Sequence, residues 1–214
     1  MIELAAATTI FVLTHVIPAY GPLRQSLISL LGKRLYIILY SSLSMAVFIW
    51  LGFAFFTAPY IELWGQPAWT RWVPVIGMPF VCILFVGGFL ATNPLSLSIG
   101  KKTFDPTRPG LIGLTRHPVM MAFTLWPGLH LFPNGDVGSV LLFGLLMGLG
   151  FYGPYTIDKR NKKSLGLEEW QRLADSKGTI VGSNGWLAGI IGGGVLFVVL
   201  LLGHKMVIGV SPLP

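Results

Sequence analysis

Three of the histidines lie at positions that make them candidates for a chemical role. Arg116 and His117 directly precede Pro118, and His130 follows along the same apolar run. Because proline suits the first position of a helix, the Arg-His pair should mark a helix start, with His130 about 20 Å further along the axis. His15 lies near the end of the first apolar segment. The spacing therefore predicts one polar boundary and two imidazoles in apolar surroundings.

Ionisable side chains inside a membrane are costly and are functional candidates by default. Two neutral imidazoles on different helices suit a haem iron, so His15 and His130 are the candidate axial ligands and candidate catalytic residues. Zinc would ask for three or four ligands, and no Cys or Glu accompanies them. His117 is the alternative partner of His15, because His130 lies deeper. Each histidine could instead be bonded to a neighbouring helix, and we interpret His204 as interfacial.

A basic cluster is predicted at one boundary of the membrane. Its members follow or precede apolar segments: Arg24, Arg34, Arg116, His117, Asp158 and Arg160. Arginine offers a two-pronged match to anions, so the cluster suits haem propionates, a phosphate or a lipid headgroup. Arg24 and Arg116 are the candidate propionate partners. The alternative is that these cations serve only to orient the chain in the membrane.

The composition is that of an integral membrane protein. Of 214 residues 53% are hydrophobic and only 11% charged, with a mean hydropathy of +0.72. Soluble proteins carry about 25% charged residues. In a membrane protein Lys and Arg mainly set orientation, so the net charge of +7 does not point to nucleic acid. The single cysteine, Cys82, excludes an internal disulfide.

The apolar segments predict an all-α, polytopic membrane helix bundle with about six transmembrane helices in one domain over residues 1–214. The segments are residues 4–20, 35–57, 73–97, 118–133, 137–157 and 186–210. The fourth is short for a full crossing. All but two of the 15 Lys and Arg residues fall in the first, third and fifth loops. The positive-inside bias places these loops in the cytoplasm and both termini outside.

The fifth loop carries apolar residues among its charges, namely Leu165, Leu167, Trp170 and Leu173. This pattern predicts a short amphipathic helix lying on the cytoplasmic leaflet.

The ordered motifs resemble those of the NnrU family. They are Thr14-His15, Gly21-Pro22-Leu23-Arg24, Gly32-Lys33-Arg34-Leu35-Tyr36 and Gly113-Leu114-Thr115-Arg116-His117-Pro118, followed by Trp126 and His130. The resemblance extends from about residue 11 to residue 179. That family includes bacterial proteins associated with denitrification genes and the plant and cyanobacterial 15-cis-zeta-carotene isomerase.

The resemblance implies a haem b protein. The isomerase rotates a central cis double bond of a polyene without net redox change, and its proposed axial ligands match His15 and His130. The histidine of its Arg-His-Pro motif matches His117, whereas Pro127 replaces a cysteine. By this resemblance we expect a multi-pass protein of the bacterial inner membrane. Its expected partners are the lipid bilayer and either an apolar polyene or a protein linked to nitrogen oxides.

Two alternatives stay open. The Arg116-His117-Pro118 motif is also similar to that of the isoprenylcysteine methyltransferase group, in which it helps to bind S-adenosylmethionine. There a pair of acidic residues follows the next helix, and Asp158-Lys159 stands in its place here. The third possibility is an accessory or transport protein with no reaction of its own.

Overall fold

The computed structural model describes residues 1–18, 21–101, 103–176, 178, 181 and 184–214. The predicted end of the first span at Tyr20, the basic residues Lys102 and Lys177, and residue 179 lie outside the described residues. The helices are α1 (Ile2–Val16), α2 (Gly21–Leu31), α3 (Lys33–Phe56), α4 (Trp72–Leu90), α5 (Pro118–Leu131), α6 (Val137–Leu165), α7 (Leu167–Ala174) and α8 (Trp186–Ile208). Short 3₁₀ turns precede α4 and α5. The predicted all-α fold is confirmed.

Four helices within the described ranges are long and apolar enough to cross a bilayer: α3, α4 with its preceding turn, α6 and α8. Helices α1 and α2 would make a fifth crossing as one bent span. Helix α5 has 14 residues, or about 21 Å, which is less than the hydrocarbon thickness of about 30 Å. A polytopic membrane protein is therefore confirmed, while six spans and the outside placement of both termini stay predictions.

Two predicted span ends differ from the observed helices. Helix α4 ends at Leu90 rather than at residue 97, because a residue before proline avoids the helical region and Asn93 precedes Pro94. The Asn93 Oδ1 instead accepts a bond from the Leu95 N–H at 2.9 Å. Helix α6 continues past residue 157 to Leu165, since a helix satisfies its own backbone and its charged residues need only reach water. This extension carries Asp158 into the site described below.

Helix α7 confirms the predicted short helix, while its position on the leaflet stays a prediction. Trp170 and Leu173 are buried against Leu95, and Phe104 packs on the same cluster. The turn that follows α4 supplies Leu95 and so covers part of the apolar face, while Leu165 and Leu167 stay exposed.

The chain forms two compact units. The first comprises Met1–Trp64 with Gly135–Leu145, and the second comprises Gly65–Asn134 with Leu146–Pro214. In the first unit α1 packs on α3, and Leu4 and Leu51 are fully buried. The prediction of a single domain over the whole chain stays a prediction.

In the second unit α4 packs against both α5 and α8. The contact between α4 and α8 depends on glycines that let the two backbones approach, as in other membrane helix pairs. A Cβ on Gly193 would lie 2.7 Å from the Ile83 Cα and 2.8 Å from the Cys82 carbonyl carbon. A Cβ on Gly189 would lie 3.0 Å from the Ile83 carbonyl oxygen. Side chains at these positions would push the helices apart.

We therefore expect Gly193→Ala to destabilise the protein by about 1–3 kcal/mol, the usual cost of overpacking. Gly194→Ala is the matched control, because a Cβ there meets nothing within 4 Å. Thermal unfolding of the two variants in detergent measures the difference. Equal unfolding midpoints would show that α4 and α8 do not approach as closely as described.

Candidate functional site

A carboxylate near the end of α6 joins three helices of the second unit. The Asp158 Oδ2 accepts a hydrogen bond from the Arg116 Nη2 at 3.1 Å. Its Oδ1 accepts one from the His117 Nε2 at 3.0 Å and a longer one from the Trp170 Nε1 at 3.4 Å. These donors come from the start of α5 and from α7. One carboxylate therefore fixes the ends of α5, α6 and α7.

The turn after α4 closes the other side of this cluster. The His117 Nδ1 lies 2.9 Å from the Ser96 Oγ, and the Asn93 Nδ2 donates to the Arg116 carbonyl at 2.9 Å. The Asn161 side chain, on α6, donates to the Leu95 carbonyl at 2.7 Å. The turn therefore holds the residues that enter α5 and is itself held by α6.

His117 occupies the position directly before α5, with Pro118 as the first helical residue. The residue is buried, with 5% of its surface exposed. Burial lowers the pKa of His117, and this outweighs the opposing effect of the Asp158 carboxylate, while the Arg116 charge lowers the pKa further. The neutral ring donates a hydrogen bond from Nε2 to Asp158, so its Nδ1 accepts a hydrogen bond from the Ser96 hydroxyl. Both ring nitrogens of His117 are therefore engaged with side chains.

Two cations lie over one indole ring at this site. The Arg116 guanidinium carbon is 5.2 Å from the centroid of the Trp170 ring, and the Lys162 Nζ is 4.1 Å from it. Such contacts are favourable because the indole face is electron-rich. The Arg116 Nε is buried and has no hydrogen-bond partner among the described residues. The guanidinium therefore keeps an unused donor after pairing with Asp158.

The two membrane-embedded histidines share one local geometry. The His15 Nδ1 donates to the Phe11 carbonyl at 2.7 Å, and the His130 Nδ1 donates to the Trp126 carbonyl at 2.8 Å. In each case the acceptor is the residue four positions earlier in the same helix. A carbonyl can only accept, so the lone pair of the neutral ring lies on Nε2 in both residues.

This arrangement fits an axial ligand of haem iron. Metal-binding histidines usually donate the ring N–H that does not face the metal to a carbonyl or carboxylate, which fixes the tautomer. Across the described ranges no group of three or more His, Cys, Asp or Glu residues comes together, but a haem iron needs only one or two axial ligands from the protein. His15 lies in the first unit and His130 in the second, so their pairing stays a prediction.

The predicted basic cluster is partly assembled within the second unit. Arg116, His117 and Asp158 are in direct contact. Arg24 belongs to the first unit and lies 5.7 Å from the centroid of the Tyr36 ring. Its predicted role with a propionate stays a prediction.

Sequence reasoning missed five members of the site: Asn93, Ser96, Asn161, Lys162 and Trp170. For two of them a signal was present. The Asn-Pro pair marks a turn with an Asx bond, and Lys162 follows Asp158 by one helical turn. Nothing in the sequence marks Ser96 as the partner of His117.

Because Asp158 accepts from a cation and from a buried ring, we expect Asp158→Asn to cost on the order of 2 kcal/mol. Arg116 is 40% exposed, so solvent screening keeps the loss below that of a fully buried pair. Glu169→Gln is the control, since it removes the carboxylate from the exposed pair with Arg172, and it should leave thermal unfolding unchanged. Similar losses in both variants would contradict a central role for Asp158.

The lowered pKa of His117 gives a pH dependence with a defined sign. The unfolded chain takes up a proton near pH 6.5 while the folded chain does not, so the unfolded state binds more protons. We expect stability to be full above about pH 6.5 and to fall as the pH drops through that value towards the lowered pKa. His117→Gln should reduce the slope of unfolding free energy against pH between pH 8 and 5. The reduction should correspond to the uptake of about one proton on unfolding, and thermal unfolding measures it. An unchanged slope would contradict it.

Comparison with known proteins places the chain in a family. No curated protein matches it, and no solved structure matches it. A family model described as "NnrU protein" matches residues 3–212. That match takes in both compact units and every residue of the sites described above. The chain therefore belongs to the NnrU family.

Proposed function

We propose that this NnrU-type membrane protein binds haem b, with His15 and His130 as axial ligands. One observation carries the proposal. Both rings are fixed by a carbonyl four residues earlier, which leaves Nε2 as the nitrogen for a metal.

The surroundings of the two rings are consistent with a haem. The His15 ring lies 4.1 Å from the Phe11 ring and 6.3 Å from the Tyr40 ring, centroid to centroid. The His130 ring lies 6.0 Å from the Trp126 ring. Aromatic surroundings suit a large apolar macrocycle, and iron is ligated by the neutral form of an imidazole. Both ring nitrogens of His117 are bonded, to Ser96 and to Asp158, which argues against His117 as the second ligand.

The proposed role is either in nitrogen-oxide metabolism or in redox-neutral cis-trans isomerisation of a polyene like that of the carotene isomerase. Bound haem would supply an iron centre. The chain's own residues would hold the tautomer of each ligand and keep water away. We propose the bacterial inner membrane as the location, with an apolar polyene or a protein linked to nitrogen oxides as the partner.

The methyltransferase alternative gains no support from the geometry. Arg116 and His117 point to Asp158, and this contact occupies groups that would bind a cofactor. No specific observation favours an accessory or transport role without haem.

The test is the visible spectrum of the gently purified protein, combined with pyridine haemochrome analysis. We expect a Soret band that identifies haem b. His15→Ala and His130→Ala should each reduce the haem content several-fold, because each removes one of the two axial bonds.

His204→Ala is the matched control, since its ring also donates from Nδ1 to a carbonyl, that of Val210, at 2.8 Å. It should keep the full haem content. If the protein lacks haem, or if both ligand variants keep a full Soret band, the proposal is wrong. If His204→Ala loses haem and His15→Ala does not, then His204 rather than His15 is the axial ligand.

A further inference from the structure

The site around Asp158 holds more positive charge than its carboxylate can balance. Asp158 already accepts from Arg116, His117 and Trp170. Lys162 contacts the indole ring but forms no ion pair within the part of the chain that the structure describes. With His117 neutral, two cations therefore face one carboxylate.

Arg116 adds a second, independent indication. Its Nη2 pairs with Asp158, while its Nε is buried without a partner. A buried donor that gives up water without gaining an acceptor is unfavourable, and such groups in native proteins usually mark a bound ion or water. An acceptor that carries negative charge would satisfy the Nε and balance Lys162 at the same time.

The position of the site along α6 indicates the source of that acceptor. Tyr152 and Tyr155 are 59% and 60% exposed, and exposed tyrosines collect at the headgroup level of membranes. Asp158 and Lys162 follow on the next two turns of the same helix. The two cations therefore lie at the depth of the lipid phosphates.

We propose that Arg116 and Lys162 bind a phosphate group beside Trp170, with the phosphodiester of an anionic membrane lipid as its source. The Arg116 Nε and the Lys162 Nζ are the donors, and Asp158 positions the guanidinium. Arginine matches phosphate oxygens by its fork and lysine by its point charge. The site is independent of the proposed haem ligands, which lie elsewhere in the chain.

The experiment is a titration of the purified protein with phosphatidylglycerol in detergent, with bound lipids counted by native mass spectrometry. Lys162→Gln leaves the Asp158 contacts in place, and Arg116→Lys keeps a cation but removes the Nε. We expect each to weaken lipid binding about tenfold, the usual effect of one charge-assisted hydrogen bond. Lys163→Gln is the control, because among the described residues this exposed neighbour forms no cation–π contact with Trp170, and it should weaken binding less than twofold.

A second arm adds inorganic phosphate as a competitor. Displacement of the lipid would identify solution phosphate as a further source for the same site, whereas retention would restrict the site to lipid. If all three variants weaken lipid binding equally, the lipid is attracted to basic residues in general, and the proposal is overturned. Absence of saturable binding would overturn it too. Loss of haem from Arg116→Lys without loss of lipid would assign Arg116 to a propionate instead.

Discussion

A polar group that leaves water for a membrane or a protein interior must find its partner inside the protein. The second unit meets this requirement with one carboxylate. Asp158 receives hydrogen bonds from Arg116 and His117, which directly precede α5, and from Trp170 of α7. Without it a cation and a buried ring would lose their acceptor together. The order at the ends of α5, α6 and α7 therefore depends on this residue.

The same requirement explains the embedded histidines. An isolated imidazole N–H in an apolar helix bundle is unfavourable, and the nearest acceptor is the carbonyl four residues earlier. In His15 and His130 this bond turns the Nδ1 proton inward to the helix and leaves the lone pair at Nε2. A constraint of stability thus selects the same tautomer in both rings. For His117 the carboxylate of Asp158 selects the opposite tautomer.

The sequence predicted the helices well where one signal was sufficient. The apolar runs located α3 and α8 within a few residues, and Pro118 marked the start of α5. The predicted end of α4 was wrong, because the turn at Asn93 and Pro94 ends the helix within an apolar run. The surroundings of the site were not predictable, since His117 and Asp158 are 41 residues apart in the chain. Their contact follows from packing, which no local pattern encodes.

The central claim is that hydrogen bonds inside the protein select the state of each imidazole, and nitrogen NMR of histidine-labelled protein tests it most directly. Single histidine-to-glutamine variants would assign the signals, and haem-free protein would avoid the effects of iron. We expect His15 and His130 to carry their proton on Nδ1 and His117 to carry it on Nε2. Protons on Nε2 in His15 and His130 would contradict the account, because those rings would then present no lone pair at Nε2 for iron.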